Sequence, residues 1–472
     1  MSIIIPANSA SAAGGFQVAN SVRFNGGSND HLKKTFGTPT NAQKYTMSWW
    51  FKGTGIATGS MFEAASGNAQ NGAFVYLKTD DLQINSIVGN SEVMKLIPNA
   101  HYQDYSAWYH LCFAVDVTLG TASDRNKLYI NGERVTSFVT QTNAPQNTNG
   151  MFNTAIEHLI GIDIYNSGGS LATPFNGYIS EFVFIDGSQE EVTAFGEFDS
   201  DSGIWKPIDG LADDLTFGDN GFYLDFQDSS NLGNDVSGEN NDFTVVNLTA
   251  TSQSTDTCTN NFCTWNSLDN FYQESTFQQG NLQVRTKSPG VIYSYETYNT
   301  GTIGVSSGKW FWEVKFSAVD SGSSQIGVVD NGPTAATQQL GARTYGWSYT
   351  QGGSVDNNGS SVSGSWASYT TGDIIGVALN LDDNQLTFYK NGAVQNSGTA
   401  ISITAPASTT SGFYFPAGGD NNAGNVTLQA NFGSPPYSES GGKSDGNGYG
   451  NFSMVVPSGY FALNTKNIAE YG

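Results

Sequence analysis

The sequence predicts an all-β fold: two tandem antiparallel β-sandwiches with very little helix. Three observations carry this. Short alternating runs such as YTMSWWFKG, GAFVYLKTDD, KWFWEVKFS and DIIGVALNLD are cut every few residues by Gly, Asn, Asp or Pro, the spacing of strands in a sandwich or barrel. The 472 residues include 56 Gly, with 13% aromatic and only 13% charged residues; disordered chains lose their aromatics instead. One hairpin grammar is written twice, as KLYINGERV (Lys127–Val135) and LTFYKNGAVQ (Leu386–Gln395). In each, a strand, a polar turn and a second strand lead to Asn-Gly, the pair that suits the positive φ values of a two-residue hairpin turn.

Taken in order, residues 1–15 form an N-terminal arm, and residues 16–208 a first strand-rich zone. Residues 209–265 are an extension or linker, part of it ordered because FYLDF and DFTVVNL still read as strands. Residues 266–437 form the second strand-rich zone, and 438–472 a tail that opens on SESGGKSDGNGYG. Helical periodicity is nearly absent. The best helix candidate is 189–195, where Ser188 and Glu191 have the spacing of a capping box.

Charge narrows the function. The formal net charge is −23, which disfavours nucleic-acid binding through a basic surface; mutual repulsion for solubility is reason enough for it. Three cysteines make no disulfide scaffold. Cys112 reads as an inward-facing core residue; Cys258 and Cys263 are near enough in sequence to pair or to stay as thiols. Two cysteines without a nearby His do not supply the four ligands of a structural zinc site. The opening MSIIIPANSASAAGG has no basic segment and only three consecutive isoleucines, so neither a signal peptide nor membrane insertion is expected.

The residues also carry resemblances. VRFNG (Val22–Gly26), YTMSWWFKG (Tyr45–Gly53), WYHLCFAVD (Trp108–Asp116), LYINGERV and FNGYISEFVFIDG (Phe175–Gly187) resemble, in order, the laminin-G-like, concanavalin-A-type jelly roll. GKWFWEVKFS (Gly308–Ser317), IGVVD (Ile326–Asp330), YGWSY (Tyr345–Tyr349), YTTGDIIGVALNLDDNQLTFYKNG (Tyr369–Gly392) and GFYFPA (Gly412–Ala417) resemble a SPRY domain. The joining segment FYLDFQDSSNLGNDVSGENNDFTVVN and the closing PSGYFALNTKNIAE resemble pieces of tailed-bacteriophage structural proteins, marine ones especially. The combination implies a virion protein, assembled in the host cytoplasm and released by lysis. Its partners would be other virion proteins, a host surface glycan and further copies of itself, a trimer being favoured.

Chemistry points to binding rather than turnover. Glucanases of this sandwich class resemble one another in an E-x-D-x-x-E strand that puts two carboxylates on one face, and no such triplet occurs. Glu157 and Asp163 read as solvated edge charges, and His110 as a structural strand residue. None of the four histidines stands in a metal or nucleophile-elbow motif. Strand aromatics Trp49, Trp50, Trp310, Trp312, Tyr345, Trp347 and Tyr349 read as core. The ligand-binding candidates are instead loop residues: Asn357, Asn358, Trp366, Asp420 and Asn421. No cofactor is expected. Calcium would need converging oxygens, and DSDSG (Asp199–Gly203), VDNNG (Val355–Gly359) and GGDNN (Gly418–Asn422) read as turns. The expectation is a non-enzymatic tail-fibre or receptor-binding component. A capsid decoration protein, a secreted jelly-roll glycan hydrolase and an intracellular SPRY adaptor are the alternatives.

Overall fold

The computed structural model describes residues 15–55, 58–66, 70–164, 170–269, 275–286, 297–319, 324–332, 339–420, 426–439 and 442–472. The chain divides into two compact units, Ala13–Thr259 and, in the main, Asn260–Gly472. Each is a pair of sheets closed on an apolar core, so the all-β, two-sandwich expectation holds.

In the first unit, one sheet runs Glu133–Arg134, Asn126–Ile130, Tyr109–Asp116, Lys44–Gly53, Gly177–Asp186, Ser21–Phe24, Gln253–Ser254. The other runs Phe138–Thr142, Ser91–Pro98, Asp81–Val88, Gly72–Lys78, Gly59–Ala65, Glu157–Ile160, His31–Thr35, Thr244–Val246. Alternation sets what each strand buries. In Lys44–Gly53, Trp49 points into the inter-sheet core and stacks on Phe182 at 4.5 Å, whereas Trp50 points to the outer face and is buried there by residues 192–223. Cys112 goes with Trp50, not with the inter-sheet core: its neighbours Leu111 and Phe113 take the inward positions.

The stretch after residue 208 is built into this unit. Phe222–Leu224 pairs with Gly177–Asp186, Thr244–Val246 with His31–Thr35, and Gln253–Ser254 with Ser21–Phe24. A buried ion pair fastens it. Lys52 Nζ lies 2.9 Å from Asp256 Oδ2, both side chains being at most 2% exposed, and Trp108 Nε1 donates to Asp256 Oδ1 at 3.0 Å.

In the second unit, one sheet runs Thr276–Gln278, Gln283–Arg285, Thr427–Asn431, Lys309–Ala318, Ile374–Asn380, Gln385–Lys390, Ala393–Val394. Facing it are Thr297–Thr300, Phe415–Asp420, Ser324–Val329, Gly346–Thr350, Val355–Asn357 and Ser360–Val362. Trp310 and Trp312 are wholly buried between them. The C-terminal stretch covers the outer face of the first of these sheets. Phe452, Met454 and Val456 pack on Phe311 and Ala378, and Glu313 accepts the Ser453 and Met454 amides at 2.9 and 2.6 Å.

The repeated hairpin grammar has a common structural meaning. Asn131 and Asn391 adopt φ of 49° and 48°, each followed by a glycine at positive φ. Asn131 N–H donates to His110 C=O at 2.9 Å while its side-chain oxygen accepts His110 N–H at 2.7 Å. Asn391 does the same with Ile374, at 2.9 and 2.8 Å. The asparagine side chain imitates a further rung of the ladder, closing the strand start beside the turn.

The expected helix at 189–195 is not formed; a single 3-10 turn, Val192–Ala194, stands there. Glu191 does not reach back to cap, because Lys127 and Tyr129 hold its carboxylate at 2.8 and 3.3 Å. The longest described helix is the seven-residue Thr465–Tyr471, and no described helix is long and apolar enough to cross a membrane.

Candidate functional site

The four described candidates, Asn357, Asn358, Trp366 and Asp420, do not gather into one site. Asp420 ends its strand opposite Ser324, and Gln325 pairs with Thr350. One end of the six-stranded sheet therefore collects Asp420, Ser324 and Thr350. Residues 365–369 lie across this same end. Tyr369 O–H donates to Ser324 C=O at 2.8 Å, Tyr369 N–H to Gln351 C=O at 3.1 Å, and Tyr349 O–H to Ala367 C=O. Asn357 and Asn358 sit at the other end. There the Asn357 amide donates to Thr344 and Gly346 carbonyls at 3.1 and 2.9 Å, which makes it a loop fastener. Asn358, with φ 49°, is the turn residue before Gly359. Asn421 lies outside the described residues.

Three of these placements differ from the sequence reading, the first being Asn357, which ends the strand Val355–Asn357 instead of lying in a loop. Asp420 is no loop residue: it closes a strand and is 1% exposed. Trp366 stays in a loop but is half-buried, leaning on the domain core. Its loop is a strap held from several sides. Ser365 N–H donates to Asn396 Oδ1 and Ala367 N–H to Gln395 Oε1, each at 3.0 Å, and Lys390 Nζ donates to Ser368 C=O at 2.8 Å. Gly353 permits the close approach: a Cβ there would lie 2.7 Å from the Trp366 carbonyl oxygen. The result is a partly exposed indole on a well-held strap, with the neutral side-chain amides of Gln395 and Asn396 bonded to the residues on either side of it. Such a surface offers a stacking plane and uncharged hydrogen bonds.

In the first unit the outer face of the second sheet carries a polar cluster that sequence reasoning missed. Glu63 and Asp163 are both fully buried, as is nearly all of Tyr76. Asp163 is thus not a solvated edge charge: it accepts the Tyr76 hydroxyl and, at 2.9 Å, the Thr173 hydroxyl. Burial and the Asp163 carboxylate raise the Tyr76 phenol far above its usual range. Glu63 Oε2 accepts Ile164 N–H at 2.8 Å. Glu157 does remain partly exposed, 3.9 Å from Lys33. A glycosidase needs two carboxylates facing an accessible sugar; here both engage the protein's own donors.

His110 touches a serine, yet the geometry is wrong for a nucleophile–base pair. Trp205 Nε1 donates to His110 Nδ1 at 3.1 Å, and Ser48 Oγ lies 2.8 Å from Nε2. Indole N–H is a donor only, so Nδ1 accepts and Nε2 carries the proton, which points at Ser48. That nitrogen has no lone pair with which to take the serine proton. Burial pushes the His110 pKa down to about 3.

Of the three acidic stretches read as turns, the one at Asp199 is a turn, whereas Asp356 stands in the strand Val355–Asn357 and Asp420 ends the strand Phe415–Asp420. Asp199 Oδ1 accepts the Asp201 and Ser202 amides at 3.1 and 2.9 Å, and its Oδ2 accepts Lys206 Nζ at 3.2 Å. Asp356 accepts the Ser361 hydroxyl at 2.8 Å. All three cysteines lie among the described residues, and none is in a disulfide.

Two family models match the chain, one in each unit. Residues 25–193 match the family model described as the concanavalin A-like lectin/glucanases superfamily, and residues 309–434 match the SPRY domain model. No curated protein matches. Among solved structures, the SPRY domain of human HERC1 is similar at 16% identity, covering 31% of this chain and 86% of its own, with a TM-score of 0.25. The native heptameric SAP-like pentraxin of Limulus polyphemus is similar at 19% identity, covering 37% and 80%, with a TM-score of 0.29. Stonustoxin is similar at 21% identity, covering 36% and 27%, with a TM-score of 0.27. The chain therefore carries, in tandem, a concanavalin-A-like domain matched over residues 25–193 and a SPRY domain matched over residues 309–434.

Proposed function

We propose that the protein is a non-enzymatic virion component of a tailed phage, a tail-fibre or receptor-binding subunit that contacts host surface glycans through sandwich loops. The observation that carries the glycan part is the Trp366 strap: a partly exposed indole, pinned by hydrogen bonds on both sides and flanked by uncharged amides. Sugars present hydroxyls and an apolar C–H face, which such a surface meets with little ordering cost. The net charge of −23 favours a neutral ligand over a polyanion. The virion setting rests on the resemblance of the joining and closing segments to phage structural proteins, and a homo-oligomer, a trimer, on the tail-fibre reading.

The test is binding of the purified full chain to an array of bacterial surface glycans, with light scattering for the oligomeric state. Trp366→Ala should weaken the bound glycan at least about 30-fold, the loss of a well-placed aromatic anchor. Asn358→Ala, at the opposite end of the same sheet, should leave binding unchanged. Equal binding by wild type and Trp366→Ala moves the ligand away from this strap. A compact monomer that binds no glycan overturns the tail-fibre reading.

A further inference from the structure

The hairpin joining Gly72–Lys78 to Asp81–Val88 carries Asp80 and Asp81 side by side at its tip. A second segment crosses it: Asp81 and His101 form an antiparallel bridge, and Tyr102 N–H donates to Asp80 C=O at 2.7 Å. The three side chains converge on this locked pair of segments. His101 Nδ1 lies 2.8 Å from Asp81 Oδ1 and 3.5 Å from Asp80 Oδ2, and one ligand atom from each residue falls within 4.8 Å of the others. His101 is 57% exposed, Asp81 44% and Asp80 23%.

We infer that Asp80, Asp81 and His101 form a surface site for a divalent transition-metal ion. Ligands bonded to one such ion at about 2.0–2.2 Å stand roughly 3 Å apart, and the imidazole–carboxylate spacings are already of that size. The imidazole distinguishes this cluster from the purely acidic stretches of the chain. One nitrogen and two oxygens suit Zn²⁺ or Ni²⁺, whereas Ca²⁺ and Mg²⁺ prefer an all-oxygen set. Gln103 Nε2 donates to Asp80 Oδ2 at 2.7 Å, the kind of outer contact that orients a ligating carboxylate. Three protein ligands at an exposed turn leave coordination positions open to water or to a donor from another molecule. The site belongs to the first unit and is independent of the Trp366 strap.

The competing account is a plain ion pair, and pH separates the two. Metal ligation requires a deprotonated imidazole, so affinity rises with pH; an ion pair is strongest when the imidazole is protonated. The experiment is calorimetric titration of the untagged full chain with Zn²⁺, Ni²⁺ and Ca²⁺ at pH 7.5 and 5.5. One equivalent of Zn²⁺ or Ni²⁺ should bind at pH 7.5, with Ca²⁺ much weaker and Zn²⁺ weaker at pH 5.5 than at pH 7.5. His101→Ala and Asp81→Asn, each with an unchanged circular dichroism spectrum, should lose the equivalent by a factor of about 10 or more. Absence of saturable Zn²⁺ or Ni²⁺ binding at pH 7.5, or a His101→Ala protein that titrates like wild type, overturns the site.

Discussion

Single residues carry disproportionate weight where the backbone leaves the ordinary regions of φ/ψ. The two hairpin asparagines make the same pair of bonds in different surroundings. Asn131 satisfies the N–H of His110, which is 1% exposed, whereas Ile374, served by Asn391, lies at a solvent-exposed hydrogen bond. Glycine tolerates positive φ, so Asn→Gly removes only the side-chain bond. Asn131→Gly should cost about 1–3 kcal/mol, the penalty of an orphaned buried amide. Asn391→Gly should cost less than about 1 kcal/mol, because water replaces the lost acceptor. Urea unfolding midpoints of the two domains check the contrast. Glu181 is the other special residue. It sits at positive φ (52°) in the bulge of Gly177–Asp186, 4% exposed, and accepts the Tyr223 hydroxyl. Burial pushes its pKa up from 4.5 to about 7. The folded state therefore holds this proton more tightly than the unfolded chain, and the stability this brings is lost as pH rises from about 4.5 through about 7. Glu181→Gln should match wild type near pH 4.5 and exceed it by about 3 kcal/mol at pH 8. Equal gaps at both pH values would show that the carboxyl is ionised throughout.

At the scale of elements, the stretch from Asp209 to Thr259 behaves as part of the first sandwich rather than as a tether. It adds Phe222–Leu224, Thr244–Val246 and Gln253–Ser254 to the two sheets, and its Asp256 neutralises a lysine that is 1% exposed. A buried pair is a modest net stabiliser, but removing one partner strands the other charge. Asp256→Ala should destabilise the first domain by about 3–5 kcal/mol. A chain ending at residue 208 should fail to fold, since it would uncover Trp108 and Lys52 together; soluble yield and near-ultraviolet circular dichroism read this out. A shortened chain with native-like near-ultraviolet signals would reduce the segment to decoration.

At the scale of the whole molecule the titratable groups are unevenly divided. All four histidines lie within Ala13–Thr259. Burial pushes His110 down to about 3 and His158 down to about 4. Both are neutral when folded and protonated when unfolded below about pH 6.5, so the first domain loses stability as pH falls from 6.5 towards 4 and below. The second domain has no histidine and lacks this contribution. Glu181 acts in the opposite sense over part of the window, so the comparison belongs in Glu181→Gln protein. Calorimetric scans at pH 6.5 and 4.5 should show the first domain's transition moving down relative to the second's. Transitions that shift together would place the acid sensitivity elsewhere.

Features that depend on local pattern were legible in the residues alone. Period-2 alternation, punctuation by Gly and Asn, and the doubled Asn-Gly hairpin read out the strands, the two sandwiches and the burial of Trp49, Trp310 and Trp312, because which face a strand residue takes follows from its parity. Tertiary structure decided whatever depends on a partner distant in sequence. Parity could not tell that Cys112 and Trp50 face an outer layer, since a strand covered on both sides has two insides. Nor could it tell that Asp163 would meet Tyr76, 87 residues away, or that Asp420 would close a strand. The candidate site was half legible: Trp366 was named from its loop, but the bonds that hold the loop come from Asn396, Gln395 and Lys390. His101 carried no motif, because what unites it with Asp80 and Asp81 is a backbone bridge across 20 residues of chain, and no local periodicity records such a bridge.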